Sequence, residues 1–338
     1  MKVIRGLHVL RFAVLSVAII HIIQSQSFAQ GYGRFMPYST VGAGLGTASY
    51  YGDMAPYRRV IASTFRSMRF NISGEYTRHF SPRFAGRVSL TWARLAGDDY
   101  TQNKSGSAAN HNFFIRNLHF RNDVKELALT GILNLVPDQP KSRFNAYFFG
   151  GIAFFAHNPK ARLPVDETAI EKQKWVALRP LGTEGQGHEG YDKPYSLVKF
   201  AIPLGFGISY KINDRFKIGG EVGMRFTTSD YLDDVSKNYP ASAVFLSDNA
   251  AENGQIAQTM SNRSLERYEA RRAQGDRTDI LRKYLNLDAN TDPIEYLRAN
   301  PNVLGVRGDS PKKNDSYLLG TIKVAYILPY TVKCPPLK

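Results

Sequence analysis

The feature that most constrains this chain is a period-two alternation of apolar and polar residues that recurs along its length. In residues 196–210, Val198, Phe200, Ile202, Leu204, Phe206, Ile208 and Tyr210 share one parity, and Lys199, Ala201, Pro203, Gly205, Gly207 and Ser209 share the other. In residues 216–228, Phe216, Ile218, Val222, Met224 and Phe226 alternate with Lys217, Gly219, Glu221, Gly223 and Arg225. Successive side chains of a strand point to opposite faces, so each segment reads as a half-buried strand and not as a helix. The same reading applies to residues 41–51, 68–80, 84–95, 118–136, 144–156 and 317–328, of which 144–156 is apolar on both faces.

The connections alternate as strictly as the strands. Residues 81–83, 137–143 and 213–215 are short polar turns, whereas 52–64, 96–117, 157–194 and 232–316 are long. An even number of antiparallel strands with tight turns at one rim and long loops at the other predicts an all-β fold. It is an eight-stranded antiparallel transmembrane β-barrel with a partly helical insertion before the last strand. A soluble up-and-down barrel would bury the apolar face inside. Three features favour the opposite orientation. Glycines and charges share one face, the loop lengths are asymmetric, and aromatics gather at strand ends. Near the short turns these are Phe80, Phe84, Phe144, Tyr210 and Phe216; near the long loops, Tyr50, Tyr51, Trp92, Phe120, Tyr195, Tyr231 and Tyr317.

A barrel of this strand number has room inside for side chains only, so no open channel is expected. Its charges then have to pair with one another. Glu75, Arg87, Glu126, Glu221 and Arg225, joined by Arg69, Lys199 and Lys323, are the expected lumenal ion-pair network. A proton relay or a catalytic carboxylate pair is the competing use of the same residues.

The N-terminus reads as an address. Lys2, Arg5 and Arg11 precede an apolar run at 12–23, and Ser27, Phe28 and Ala29 supply a cleavage site, so residues 1–29 are expected to be a cleaved signal peptide. The mature chain, 30–338, is then one barrel with 232–316 as a large loop insertion. No Cys lies near the cleavage point, which excludes a lipoprotein anchor; the single Cys334 excludes a disulfide framework. The formal charge of +15 invites a nucleic-acid reading, but an exported protein rarely meets nucleic acid.

Candidate chemistry is sparse. Gly42-Ala43-Gly44-Leu45-Gly46 sits inside a strand with no following helix, so it is not a dinucleotide loop. His79, His111, His119, His157 and His188 show no ligand spacing, and no Ser, His and acid group as a catalytic set. No cofactor or enzymatic activity is expected. The acid-rich run from Asp230 to Ser236 admits calcium, although it lacks the alternating ligands of a calcium loop; a rim motif holding the last long loop is the other reading. Within the insertion, residues 262–285 look helical and rich in Arg, and residues 292–298 begin a second short helix with Pro293 in its first turn. That insertion reads either as a solvated cap or as a docking surface for an acidic partner or lipopolysaccharide.

Several motifs, in order, resemble a known family. They are the run 144–153, His157-Asn158-Pro159-Lys160-Ala161, and Leu181 followed by Gly182, Thr183, Glu184, Gly185, Gln186 and Gly187. Then come Ile202-Pro203-Leu204-Gly205, Glu221-Val222-Gly223-Met224-Arg225, and Asp230, Tyr231, Leu232, Asp233 and Asp234 with Val235 and Ser236; Tyr50-Tyr51-Gly52-Asp53 adds a weaker likeness. Together they resemble the PorG-like outer-membrane β-barrels of Bacteroidota. The resemblance implies a role in the type IX secretion system, with periplasmic ring subunits as partners and outer-membrane lipid and lipopolysaccharide around the wall. The alternative is a surface-exposed barrel that binds lipopolysaccharide, a glycan or a host ligand. The insertion after Tyr239 is larger than the family leads one to expect.

Overall fold

The computed structural model describes residues 35–55, 60–103, 111–139, 142–164, 174–246, 251–308 and 313–329. The expected leader and Cys334 lie outside the described residues. Ten strands form one sheet. They are β1 (Tyr38–Tyr51), β2 (Arg69–His79), β3 (Phe84–Asp98), β4 (His119–Asn134), β5 (Phe144–Ala156), β6 (Lys160–Arg162), β7 (Trp175–Ala177), β8 (Val198–Lys211), β9 (Phe216–Thr227) and β10 (Ser316–Ile327). β1 pairs with both β2 and β10, and β3 pairs with β4, so the eight long strands close into an antiparallel barrel. The short β6 and β7 form a ribbon that continues from the long-loop end of β4.

The apolar parity faces out. Leu45, Leu90, Leu129, Ile152, Ile202 and Ile322 are each more than half exposed although they lie within strands. A wall of this kind is stable only where something apolar surrounds it, which makes the fold a transmembrane barrel. The opposite parity fills the lumen. A Cβ on Gly205 or Gly223 would stand 2.4 or 2.6 Å from the Phe149 ring, so these glycines leave the space that the ring takes. Gly46 is tighter still: a Cβ there would lie 1.9 Å from the Gly320 carbonyl oxygen of the paired strand.

The girdle at the short-turn rim has the expected orientation, with Phe80, Phe84, Phe144, Tyr210 and Phe216 all exposed. The one expected at the long-loop rim is different. Tyr50, Phe120 and Tyr317 carry the lumen parity and are buried, together with Leu95, Phe155, Leu232 and Val235, in an apolar plug that closes the outer end of the barrel. Tyr51 has the outward parity but is covered by helix α1 (Val60–Ser67), its hydroxyl 2.5 Å from Thr64 Oγ1. Trp92 alone of that set is well exposed on the wall.

The long connections build a folded cap. It carries α2 (Asp99–Asn103), α3 (His111–Arg116), α4 (Ala243–Leu246), α5 (Ala251–Ser261), α6 (Thr278–Tyr284) and α7 (Pro293–Ala299). Helix α7 starts as its residues predict, with Asp292 accepting a 2.8 Å hydrogen bond from Ile294 N and Pro293 in the first turn. The expected helix over 262–285 does not form as one piece. Only α6 is helical there, while Tyr268 and Asp276 bridge across a turn before it. Buried Arg263 and Arg277 explain the difference. Arg277 donates to the carbonyls of Glu266 (2.6 Å), Phe114 (2.9 Å) and Ile115 (2.8 Å), and Arg263 to that of Arg162 (2.7 Å). Those contacts hold the segment in a shape that a continuous helix does not offer.

Candidate functional site

Midway along the lumen, Glu75, Glu221, Arg87 and Lys323 form an alternating ring of charge. Lys323 Nζ lies 2.5 Å from Glu75 and 2.6 Å from Glu221; Arg87 bonds Glu221 and reaches Glu75 at 3.5 Å. Tyr147 donates to Glu221 at 2.6 Å, and Arg87 stacks on the Phe149 ring. Nearer the cap, Glu126 accepts from Tyr317 at 2.5 Å and faces Arg225 at 3.5 Å. These contacts consume the charged groups in pairing. The spaces left between them are about 20 and 60 Å³, room for a few waters.

Of the residues expected in this network, Glu75, Arg87, Glu126, Glu221, Arg225 and Lys323 are brought together. Arg69 and Lys199 are not: Arg69 sits at the cap end beside Asp98, Arg271 and Arg272, and Lys199 stands near His157. A second cluster, at the short-turn mouth, escaped the sequence reading. Lys217 Nζ donates to the Tyr38 hydroxyl (2.5 Å) and to Asp138 (3.0 Å), Tyr38 also bonds Asp138, and Tyr38 stacks on His79. Lys217 lies on the lumen parity, which was the available signal; its partner Asp138 lies in a turn, where parity says nothing.

At the opposite end the two motifs that carry the family resemblance meet. Thr183 donates to Asp234 at 2.5 Å, and Glu184 accepts from Ser236 N (2.9 Å) and Lys237 N (3.0 Å). Gln186 accepts from Glu184 N at 2.9 Å, while Gly182, Gly185 and Gly187 adopt left-handed φ values of 56°, 82° and 95° that let the loop fold back on itself. Arg307, from the far end of the insertion, locks the junction. It bonds Glu184 (2.7 Å), the Asp234 carbonyl (2.8 Å), Thr183 (3.0 Å) and the Ser261 carbonyl (3.1 Å). Burial works against its charge, and the Glu184 and Asp234 carboxylates more than offset that.

The rest of the acidic run is equally occupied. Tyr195 donates to Asp234 (2.7 Å) and stacks on Tyr231; the Tyr50 hydroxyl lies between Asp233 (2.7 Å) and Asp315 (2.9 Å); Leu232 N donates to Asp315 (2.8 Å). Asp230 accepts from Ser236 Oγ at 2.7 Å. Burial is the largest influence on all four carboxyls. It pushes Asp230 up to about 7 and Asp234 up to about 6, and holds Asp233 and Asp315 well above the usual carboxylate range. Among the described residues, no three His, Cys, Asp or Glu side chains are arranged to hold a metal ion. The run is built into the rim as a hydrogen-bonded clamp.

No protein-family model matches the sequence, and no curated protein does. Among solved structures, the chain is similar to the attachment invasion locus protein Ail of Yersinia pestis in complex with the heparin analogue sucrose octasulfate. The identity is 7% and the TM-score 0.34, over 87% of this chain and 100% of that one. It is similar to Neisserial surface protein A at 7% identity and a TM-score of 0.35, over 86% and 99%. The N-terminal β-barrel domain of Pseudomonas aeruginosa OprF gives 6% identity and a TM-score of 0.31, over 87% and 100%.

Proposed function

We propose that this chain is a non-enzymatic outer-membrane barrel, exported through a cleaved leader, that serves as an anchor or accessory subunit of the type IX protein secretion system. The observation that carries the reading is the meeting of the Gly182–Gly187 and Asp230–Ser236 motifs under Arg307, which ties the third long loop to both ends of the insertion in one rim. Those motifs are the ones that resemble the PorG-like family of Bacteroidota. A lumen closed by ion pairs suits an anchor and not a conduit. Periplasmic ring subunits are the proposed partners, docking at the short-turn mouth around Tyr38, Asp138 and Lys217.

Deletion of the gene with cargo secretion as the readout tests the transport role: unimpaired secretion refutes it. Recovery of the mature protein in the soluble periplasm on fractionation refutes the membrane reading as well. One observation favours the second reading, a surface barrel that binds a glycan or host ligand. The cap holds a cleft of about 780 Å³ lined by Tyr239, Phe245, Leu265, Gln258, Asn262 and Glu266, a mixture of rings and amides. Variants that fill this cleft separate the two, because secretion depends on the mouth and ligand capture on the cleft.

A further inference from the structure

On the outer wall a groove of about 560 Å³ runs between Ile72, Leu90, Trp92, Leu127, Phe154 and Val198. Gly74 lies on its floor, where a Cβ would meet nothing within 4 Å. Lys125 stands at one end of the groove. Along β4 the outward positions read Leu129, Leu127, Lys125, Asp123, Arg121 toward the cap, so the wall turns from apolar to charged in a single step. Directly paired residues share a face. The pairs Trp92 with Lys125, Arg94 with Asp123, Arg121 with Lys160 and Arg162 with Trp175 therefore carry the charged strip onto the β6–β7 ribbon.

The strip is cationic. Arg94 takes both oxygens of Asp123, at 2.6 and 3.0 Å, and covers the Phe70 ring. Among the described residues, Lys125, Arg121 and Lys160 have no carboxylate at ion-pair distance. Arg121 and Arg162 both stack on the Trp175 indole, at 4.3 and 5.1 Å from its centre, so one ring positions two guanidinium groups. Burial, and then the charges of Arg271, Arg272 and Arg121, lower the Arg162 pKa, against the opposing charge of Glu269.

We infer that this strip and groove together bind one phosphorylated, acylated lipid of the leaflet on the long-loop side, its phosphate on Arg121 and Arg162, an acyl chain in the groove beneath, and Lys125 between the two. Two fixed guanidiniums match the planar, bidentate demand of a phosphate, and basic positions at the bilayer surface attract anionic head groups. A free anion has no use for an apolar groove continuous with its site. This inference rests on the membrane-spanning reading and not on the secretion role.

The test uses the full mature barrel, delipidated in detergent micelles, with native mass spectrometry to count bound lipid. The probes are bisphosphorylated lipid A, the same lipid with its phosphates removed, phosphatidylcholine and inorganic phosphate. The wild type should retain the bisphosphorylated form at concentrations where the dephosphorylated form and phosphatidylcholine wash off. Arg121→Ala with Arg162→Ala should weaken that binding by about 30-fold, roughly a factor of five per cation, and erase the preference. Gly74→Trp fills the groove without touching a charge and should weaken both forms of lipid A.

Equal retention of the dephosphorylated lipid, or a preference that survives loss of both arginines, overturns the inference. Displacement of bound lipid by inorganic phosphate, with no effect of Gly74→Trp, overturns it in favour of a free-anion site. Heat-modifiable gel mobility reports folding of each variant. Should the double variant not fold, Gly74→Trp decides alone, and unchanged lipid retention there refutes the site. A wild-type barrel that fails to insert into vesicles refutes the membrane reading itself, whereas one that inserts and shows no lipid preference refutes only the lipid site.

Discussion

Replacing Arg307 by Met tests whether the cap is held by the junction of the two motifs. The guanidinium is buried and donates four hydrogen bonds, two of them to the Glu184 carboxylate and the Asp234 carbonyl. Met keeps most of the volume but leaves Glu184 and Asp234 buried with no cation. Removing one partner of a buried ion pair costs about 3–5 kcal/mol. The loss falls on the cap and not on the barrel, because the Arg307 partners lie in the rim loops and the insertion. At about 1.4 kcal/mol per tenfold change, the open cap should become roughly 100-fold to several-thousand-fold more populated. Proteolysis of the insertion reports that population when opening is faster than cleavage, and gel mobility of the heat-resistant barrel serves as the internal control. Adding Glu184→Gln to the variant removes one stranded charge and should recover part of the loss. A cleavage rate within about twofold of wild type, equivalent to roughly 0.4 kcal/mol, refutes the argument.

Asp230 is half-buried and titrates at about 7 in the fold against 3.8 when unfolded. A raised carboxyl pKa means that the native state binds the extra proton, so its contribution to stability is full below about pH 4 and is lost as pH rises through 7. Asp230→Asn should match wild-type cap resistance at pH 4 and exceed it at pH 8 by about 1 kcal/mol after allowance for solvent screening; a gap that is constant or reversed refutes this. In the lumen, Glu221→Gln leaves Arg87 and Lys323 to share Glu75 and should cost about 3–5 kcal/mol in urea unfolding from vesicles. Adding Lys323→Met should restore most of that, and a double variant no better than the single one removes the case for a charge-balanced ring. Gly46→Ala drives a methyl into the Gly320 carbonyl and should block barrel assembly, whereas Gly74→Ala, which meets nothing, should leave the refolding yield unchanged.

Much of the wall was legible because its physics is local. A period of two assigns each strand residue to lipid or lumen, and Val198, Phe200, Ile202, Leu204, Phe206 and Ile208 are all exposed where that rule puts them. Parity does not assign partners. It placed Glu75, Arg87, Glu221 and Lys323 on one face, but that they form a single ring follows from strand closure, which brings β2, β3, β9 and β10 together. At strand ends parity loses its meaning altogether. Tyr50, Phe120 and Tyr317 look like an interfacial belt by composition yet belong to an inner plug, because the cap covers them and turns the end of the lumen into a core.

The cap was illegible for a different reason, and it bears on the charge of the whole chain. Arg116, Arg263, Arg277 and Arg307 are each almost wholly buried, whereas an arginine-rich stretch read from sequence suggests a solvated face. Burying a guanidinium is tolerable only when its donors are met. Most are met by backbone carbonyls and carboxylates: distant in the chain for Arg277 with Phe114 and Ile115, Arg116 with Asp99 and Arg307 with Glu184, and three residues on for Arg263 with Glu266. No local pattern encodes the distant partners. Besides the lumenal cations, the formal +15 thus holds two populations of different behaviour, cations that build the cap and cations that face outward near Trp175. Salt separates them, since screening over about 10 Å at 0.1 M weakens exposed charges far more than buried ones. Raising salt from about 0.05 to 0.5 M should leave proteolysis of the cap nearly unchanged while markedly weakening binding of a phosphorylated lipid to the Arg121–Arg162 strip. A cap that loosens in step with the lipid would mean that the buried arginines are reached by solvent, and the distinction between the two populations would fall.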